Sequence, residues 1–479
     1  MQTLKSKTTT ALKWSAIERL VTQAIQLVVM LLLAKLLGPQ AFGLIGMLAV
    51  FIAISQVFVD SGMSSALIRK QTPSESDFTT AFIFNITIAC ACYAVLFLTA
   101  PLIAAFYQQP ELTNLVRVLG FVVVINSFTL VQRAKLSINM DFKALAVASL
   151  VAVMFSTCIA LYLAHINMGV WALVGQTLSF AIFSGFLLVF LKPWKPKGGF
   201  SIASFSELFG FGSKLLVAGL IDTLYRNIYQ LIIGKQFTAS DVGHFTQADQ
   251  LTKMPVTTMT MIIQRVTYPM LSSIQEDVKR LDDTYILTLR FAALVIFPLM
   301  FGLAVLADVL IPTLLGSAWQ PSAILVSILA LGLLLHPVHA INLNYLQVKG
   351  RSDLFLKLEI IKKAITTAIL FISVPYGVKG ICIGIVIQSY IALFINTYYN
   401  GRLSDLSLLR QLKALIPLFL LSLTSCFVAA FFAYAFNLSA WLHIVFTIIV
   451  AILLYVLGVR LFQNDLYQYL LGIIKARQF

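Results

Sequence analysis

Charged side chains are scarce in this 479-residue chain, where Asp, Glu, Lys and Arg together make up 11%. Soluble globular domains carry about 25%, so an ordinary soluble enzyme is excluded. Acid is the scarcer sign, 19 residues against 34 basic ones, for a net charge of +15. Cysteine is also sparse. Cys90, Cys92, Cys158, Cys382 and Cys426 all fall in apolar blocks, and Cys90-Ala-Cys92 has no second pair to complete a metal shell. They read as small buried hydrophobes, and no disulfide framework is implied. GxxxxGK[ST], HExxH and GxSxG are all missing, which argues against ATP-driven transport and against zinc-protease or serine-hydrolase chemistry. The basic residues come in ones to threes between apolar blocks, without zinc spacing or a ring-stacking module. They therefore point to membrane topology and not to a nucleic acid.

What the chain has in abundance is apolar surface: 59% hydrophobic residues and a mean hydropathy of +0.92. A bilayer-crossing helix needs about 20 such residues. Fourteen blocks qualify, at about 14–36, 41–60, 78–100, 114–132, 144–164, 169–191, 208–233, 243–266, 285–307, 322–343, 357–375, 380–400, 413–435 and 441–461. Continuous blocks of this length are helices, because lipid leaves no other partner for backbone groups. The five tryptophans sit near block ends, as an aromatic belt requires. With the N-terminus inside and strict alternation, 26 of the 34 basic residues fall in or beside inside segments, three in outside loops and five within spans. That bias predicts cytoplasmic termini. The first block contains Glu18, Arg19, Gln23 and Gln26 with no small-residue cleavage site after it, so it reads as a first membrane helix and not as a signal peptide.

An internal repeat organises the blocks. Lys35 to Gly43 reads KLLGPQAFG and Lys235 to Gly243 reads KQFTASDVG, an offset of 200. At the same offset Leu20 meets Leu220 and Leu31 meets Leu231. The expected architecture is all-α. A six-helix lobe (1–191) and a basic Pro/Gly linker (192–207) precede a second six-helix lobe (208–400) and an added two-helix unit (401–479). An even number of spans per lobe makes the repeat parallel, with a pseudo-twofold along the membrane normal.

Several stretches resemble the multidrug/oligosaccharidyl-lipid/polysaccharide exporter superfamily. More narrowly they are similar to the Wzx-type polysaccharide exporters that include the colanic acid and teichuronic acid proteins. These stretches are Ala34 to Leu44 (AKLLGPQAFGL), Asp60-Ser-Gly62, Val131 to Lys143 (VQRAKLSINMDFK), Ala307 to Trp319 (ADVLIPTLLGSAW) and Gln347 to Asp353 (QVKGRSD). With the layout of six, six and two spans, the resemblance covers essentially the whole chain. It implies two bundles around a cavity that opens alternately to either side, and a cargo of polyprenyl diphosphate bearing an oligosaccharide repeat unit.

Ionisable groups inside a membrane are costly and face a cavity or a partner. Arg19 lies about one turn into the first span, beside Glu18. In span seven Asp222 and Arg226 stand at i,i+4 on one face, followed by Asn227 and Gln230, and Arg226 aligns with Gln26 at the repeat offset. In span eight Thr246, Asp249, Lys253, Thr257, Thr260 and Gln264 step by three or four, a polar stripe on one helical face. Its repeat counterparts at the two charged levels are Ala49 and Ala53. The competing reading of that stripe is a seam closed by interhelical hydrogen bonds. Pro255 removes a backbone bond and marks a candidate hinge. His336 and His339 polarise span ten, and without a carboxylate or cysteine nearby they fit hydrogen bonding better than metal. Arg117 reads as a phosphate ligand or an interfacial anchor, and Arg265 as an anchor.

The reading that follows is a flippase, not an enzyme, for lipid-linked oligosaccharides in exopolysaccharide, capsule or O-antigen synthesis. It is placed in a bacterial cytoplasmic membrane. Arg19, Arg226 and Lys253 would hold the diphosphate. Tyr225, Tyr229, Asn227, Gln230 and Gln247 would meet the sugars. Glu18, Asp222 and Asp249 are the candidates for H+ or Na+ coupling, and no cofactor or metal is expected. The expected partners are the lipid-linked oligosaccharide, membrane lipid, and the polymerase and glycosyltransferases of the same pathway. A monomer is expected. The alternative is an H+- or Na+-coupled multidrug antiporter of the same superfamily. Its cationic cargo calls for a carboxylate-dominated cavity, whereas the deep charges here are mixed. A membrane polymerase or ligase would carry a large outer loop, and the longest here is about a dozen residues.

Overall fold

The computed structural model describes the backbone from Gln2 to Ala476, and side chains for Trp14 and residues 21–469. Glu18 and Arg19 lie outside the described side chains. The regular structure of the described residues is helical, without a strand, as the apolar blocks demand. In order the helices are α1 (Gln2–Asp60), α2 (Met63–Arg69), α3 (Glu75–Tyr107), α4 (Leu112–Ile138), α5 (Phe142–His165), α6 (Trp171–Leu191), α7 (Ile202–Gln236) and α8 (Ala239–Ser273). There follow α9 (Val278–Leu315), α10 (Gln320–Leu333), α11 (His336–Val348), α12 (Ser352–Ser373), α13 (Gly377–Leu403), α14 (Leu408–Ala435), α15 (Ala440–Phe462) and α16 (Asn464–Ala476).

Eleven segments among the described residues are long and apolar enough to cross a membrane, against fourteen blocks in the sequence. The difference has two physical sources. Two of the eleven are double-length, Val21–Arg69 with 49 residues and Ser352–Leu403 with 52. Each joins two blocks across a break. In α1 the break is Gly38 at φ 73, ψ 176, a conformation open only to glycine, with Pro39 starting the next limb. Between α12 and α13 it is a short 3-10 turn over Val374–Tyr376. The other source is α8, whose polar stripe keeps it out of the eleven.

The chain packs as two units, Met1–Gly243 and His244–Phe479. In the first, α5 packs on α6, α3 on α4, and α7 on α1 and α3. Its helix starts are set by side chains. Ser74 and Asp77 form a reciprocal capping box at α3, and Ser201 and Asp141 cap α7 and α5, each satisfying an orphan N–H. Within the stretch expected to be a linker, residues 192–201 lie on α3. Trp194 packs edge-on against Phe82 at 5.5 Å and donates to Glu75 Oε2 at 3.2 Å, while the Ser201 amide donates to Thr80 Oγ1 at 3.0 Å. Lys192 pairs with Asp141 at 2.7 Å. Lys70 bridges Glu207 at 2.9 Å and Asp77 at 3.0 Å, and these hydrogen bonds raise its pKa, Glu207's first.

A reciprocal contact joins α1 and the start of α8. The segment of α1 after Gly38 crosses the first turns of α8 so closely that their backbones touch at Gly43 and Gly243. A Cβ on Gly43 would lie 1.6 Å from the Ala239 carbonyl oxygen, and one on Gly243 would lie 1.9 Å from that of Pro39. Gly43 with Gly243, and Pro39 with Ala239, are the positions related by the 200-residue offset.

In the second unit, α9 is the central helix, flanked by α10, α11, α14 and α15. The core around it contains Tyr285, Leu289, Ile296, Phe297 and Tyr345. Trp319 departs from the aromatic-belt expectation. It is fully buried, and His244 packs edge-on against its ring at 5.7 Å. It is a core anchor, while Trp441 stays exposed.

Candidate functional site

In the first unit, Arg226 Nε meets Asp222 Oδ2 at 2.7 Å, with the two side chains 77% and 52% exposed. The pair is thus neutralised locally but uncovered by protein. Asn227 turns its amide back onto the Thr223 carbonyl at 2.8 Å. Tyr225 is half-buried. One turn below Arg226, Gln230 is buried, and its Oε1 finds no partner. A buried unpaired carbonyl costs about 1–3 kcal/mol, which makes Gln230 a group waiting for a donor. Arg117 lies over the ring of Phe97 at 4.6 Å, the contact of an anchor.

In the second unit, α8 carries another i,i+4 pair. Lys253 Nζ meets Asp249 Oδ1 at 2.8 Å, with the lysine 46% and the aspartate 11% exposed. Beside them Gln247 is fully buried, and neither its Oε1 nor its Nε2 is paired. Thr246 Oγ1 is likewise unpaired. Lower on the helix, Thr260 Oγ1 lies 3.3 Å from His336 Nδ1, and Gln264 Nε2 donates to Asn344 Oδ1 at 3.5 Å. The stripe therefore divides. Its lower half is a seam with α11, as the competing reading had it, and its upper half is an accessible ion pair. The helix runs through Pro255, which leaves the Leu251 carbonyl without its helical donor.

Sequence reasoning placed the two histidines on one helix but missed their partners. Asn396 Nδ2 is 3.2 Å from His339 Nδ1. His339 Nε2 is 3.3 Å from Ser389 Oγ, which donates to the Gly332 carbonyl at 2.6 Å. Accepting at Nδ1 and donating at Nε2 fits the neutral ring. No group of three or more metal-binding side chains exists among the described residues.

Sequence reasoning also missed a buried network between α9, α11, α13 and α14. Asn342 Oδ1 accepts from Asn400 Nδ2 at 2.7 Å. Gln411 Oε1 accepts from Asn342 Nδ2 at 3.2 Å and from the Tyr285 hydroxyl at 3.3 Å, and the Tyr345 hydroxyl donates to Asp282 at 2.8 Å. Asn342, Asn400 and Gln411 are fully buried. The signal was present as single polar residues near block ends, 58 to 126 positions apart, which no local pattern connects. The network joins α14 to α9, α11 and α13.

Each unit also holds a pocket. In the first, an open groove of about 790 Å³ lies between α1 and α3, lined by Phe51, Ile54, Phe58, Ile88, Val95 and other largely apolar side chains. In the second, a more polar pocket of about 520 Å³ lies between α8 and α11 and reaches Phe355 of α12.

Comparison with known proteins follows the same line. A family model described as a polysaccharide biosynthesis protein matches residues 32–324. The chain is 26% identical over 348 residues to the teichuronic acid biosynthesis protein TuaB of Bacillus subtilis, covering 71% of each chain. It is 25% identical over 396 residues to the lipopolysaccharide biosynthesis protein WzxC of Escherichia coli, covering 82% of this chain and 80% of that one. The succinoglycan biosynthesis transport protein ExoT of Rhizobium meliloti is 23% identical over 376 residues, 78% of this chain and 75% of that one. In fold the chain is similar to the lipid II flippase MurJ in an inward closed conformation, with a TM-score of 0.76, 15% identity, and coverage of 94% of this chain and 99% of that one. A MATE-family multidrug transporter in an inward-facing conformation gives a TM-score of 0.62 at 17% identity, over 83% of this chain and 98% of that one. At these identities the structural likeness carries the fold alone.

Proposed function

The chain belongs to the polysaccharide biosynthesis protein family, and from that premise we propose that it is a multi-pass flippase for a polyprenyl diphosphate bearing an oligosaccharide repeat unit. It moves the head group from the cytoplasmic to the outer leaflet by alternating access while the tail stays in lipid. The observation that carries this reading is the pair of accessible cations, Arg226 and Lys253, each held by a carboxylate one turn away. A diphosphate is a stronger, more highly charged acceptor than Asp222 or Asp249, and guanidinium and ammonium groups both bind it. Exchange of carboxylate for phosphate lets the same two cations load and release. The unpaired amides of Gln230 and Gln247 and the amphipathic Tyr225 suit sugar hydroxyls.

The carboxylates freed on loading are the groups to take up H+ or Na+, which makes Asp222 and Asp249, with Glu18, the coupling candidates. Arg19 adds a third cation to the diphosphate set. Pro255 is the hinge of α8. We read fourteen crossings in two lobes related by a pseudo-twofold, followed by the C-terminal pair. The double-length segments Val21–Arg69 and Ser352–Leu403 each cross twice, each being over twice the roughly 20 residues one crossing needs, and α8 crosses as the polar member. Both termini are cytoplasmic, in a bacterial inner membrane. The drug-antiporter alternative shares the fold, but a cavity for cations would not expose Arg226 and Lys253. The polymerase and glycosyltransferases of the same pathway are the expected partners.

Depleting the protein and extracting lipids tests this reading. Polyprenyl diphosphate carrying a complete repeat unit is expected to accumulate, with polymer lost from the surface. Unchanged lipid pools alongside altered tolerance to cationic compounds would move the assignment to the antiporter.

A further inference from the structure

The second unit's pocket is built from groups the flippase reading has not used. From α8 come Gln264, Arg265 and Tyr268, from α11 come Asn344 and Gln347, and α12 adds Phe355. None of the described residues lining it is acidic. Arg265 is exposed, and no ion pair involving it exists among the described residues. Asn344 is 7% exposed. Its Oδ1 accepts from Gln264, but its Nδ2 has no partner at all. A buried amide N–H pair without an acceptor is costly, and an oxygen-bearing ligand in the pocket that Asn344 lines would satisfy it.

The stretch from Gln347 to Asp353 explains how the pocket is shaped. Gly350 turns the chain at φ 69, a conformation unfavourable for side chains with a Cβ. Immediately after it Arg351 grips Asp353 through two hydrogen bonds of 2.9 and 2.7 Å, and this pairing raises the Arg351 pKa. The pair sits at the start of α12, whose Phe355 lines the pocket together with Tyr268. Among the described residues lining the pocket Arg265 is the one cation, and it stands with amides and two rings.

We propose that this pocket is a docking subsite for a phosphorylated saccharide. Arg265 takes a phosphate oxygen. Asn344 Nδ2, with Gln264 and Gln347, donates to sugar hydroxyl or acetamido oxygens, and the rings of Tyr268 and Phe355 cover the sugar's C–H face. The inference rests on the flippase reading and deepens it: the head group of the cargo is recognised here, at the inner end of α8, in addition to its diphosphate contacts with Arg226 and Lys253. An anionic phospholipid head group presents the same phosphate but no saccharide, so saccharide dependence separates the two sources.

The test is binding to the full chain in nanodiscs. The probes are the saccharide-bearing lipid extracted from depleted cells, bare undecaprenyl diphosphate, and phosphatidylglycerol. The unaltered chain should prefer the saccharide-bearing lipid. Arg265→Gln should weaken both diphosphate lipids about tenfold, the worth of one charge-assisted hydrogen bond. Asn344→Ser and Gln347→Ala should erase most of the preference for the saccharide while leaving bare diphosphate binding unchanged. Gln347 is exposed, so its variant stays informative if Asn344→Ser fails to fold. A retained preference in both amide variants, with wild-type affinity in Arg265→Gln, overturns the subsite and leaves the flippase assignment standing. An unaltered chain that prefers neither diphosphate lipid over phosphatidylglycerol overturns both.

Discussion

Substituting alanine at Gly43 or Gly243 is the sharpest perturbation the fold offers. Gly43→Ala puts a methyl carbon 1.6 Å from the Ala239 carbonyl oxygen, and Gly243→Ala puts one 1.9 Å from that of Pro39. Carbon and oxygen need about 3.3 Å even in their closest favourable contacts, so the backbones must part by roughly 1.5 Å. Neither obstacle is a side chain that can rotate away. Overpacking typically costs about 1–3 kcal/mol and occasionally more, and this geometry lies at the upper end. Each variant should therefore melt several degrees below the unaltered chain in detergent, as about 2–4 °C per kcal/mol implies. The contact is reciprocal, so the first alanine already separates the helices. The double variant should cost clearly less than the sum, a coupling of the kind seen for residues in direct contact. Gly302→Ala is the control, because open space surrounds the Cβ position there. Melting of Gly43→Ala at the control's temperature, or additive costs, would refute the close crossing.

Other consequences are as direct. Lys253→Gln and Arg226→Gln should each abolish polymer export without lowering membrane abundance, and Lys253→Arg should retain more export than Lys253→Gln; equal activity of the two Lys253 variants would show that its charge is irrelevant. Asn342→Ala removes the side-chain hydrogen bonds to Asn400 at 2.7 Å and Gln411 at 3.2 Å, which at about 0.5–1.5 kcal/mol for each bond lost predicts a melting temperature lower by a few degrees. Asp465→Asn removes the carboxylate that Arg290 holds at 2.6 and 3.0 Å and should speed amide exchange in α16. Those hydrogen bonds from Arg290 hold the Asp465 pKa below its ordinary value of 3.8. The docking contribution is therefore present above that value and is lost as pH falls through the lowered one.

Block hydropathy made the helices legible, because a bilayer demands long apolar runs whatever their neighbours do. It also located the polar stripe of α8 and the i,i+4 pair of α7, since a 3.6-residue period is local. Partners were not legible. Nothing in the spacing of Thr260 and Gln264 distinguishes a seam from a cavity wall; only the placement of His336 and Asn344 does. Trp319 sits at a block end like the other tryptophans, and its burial follows from the approach of His244, 75 positions earlier. That Arg265 shares a pocket with Asn344, Gln347 and Phe355, far along the chain, was likewise beyond any local pattern. An offset of 200 relates Gly43 to Gly243 in the sequence, but no local pattern reveals that the two touch.

The central claim is transbilayer movement of a lipid-linked saccharide through Arg226 and Lys253. Its most direct test places the purified chain in liposomes loaded with the extracted saccharide-bearing lipid. The fraction of saccharide that a membrane-impermeant periodate probe can oxidise is then followed. The account predicts that accessible saccharide rises from about half, the outer-leaflet share, towards completeness, and that the Arg226→Gln, Lys253→Gln double variant stays at half. A double variant that exposes the lipid as fast as the unaltered chain would contradict it.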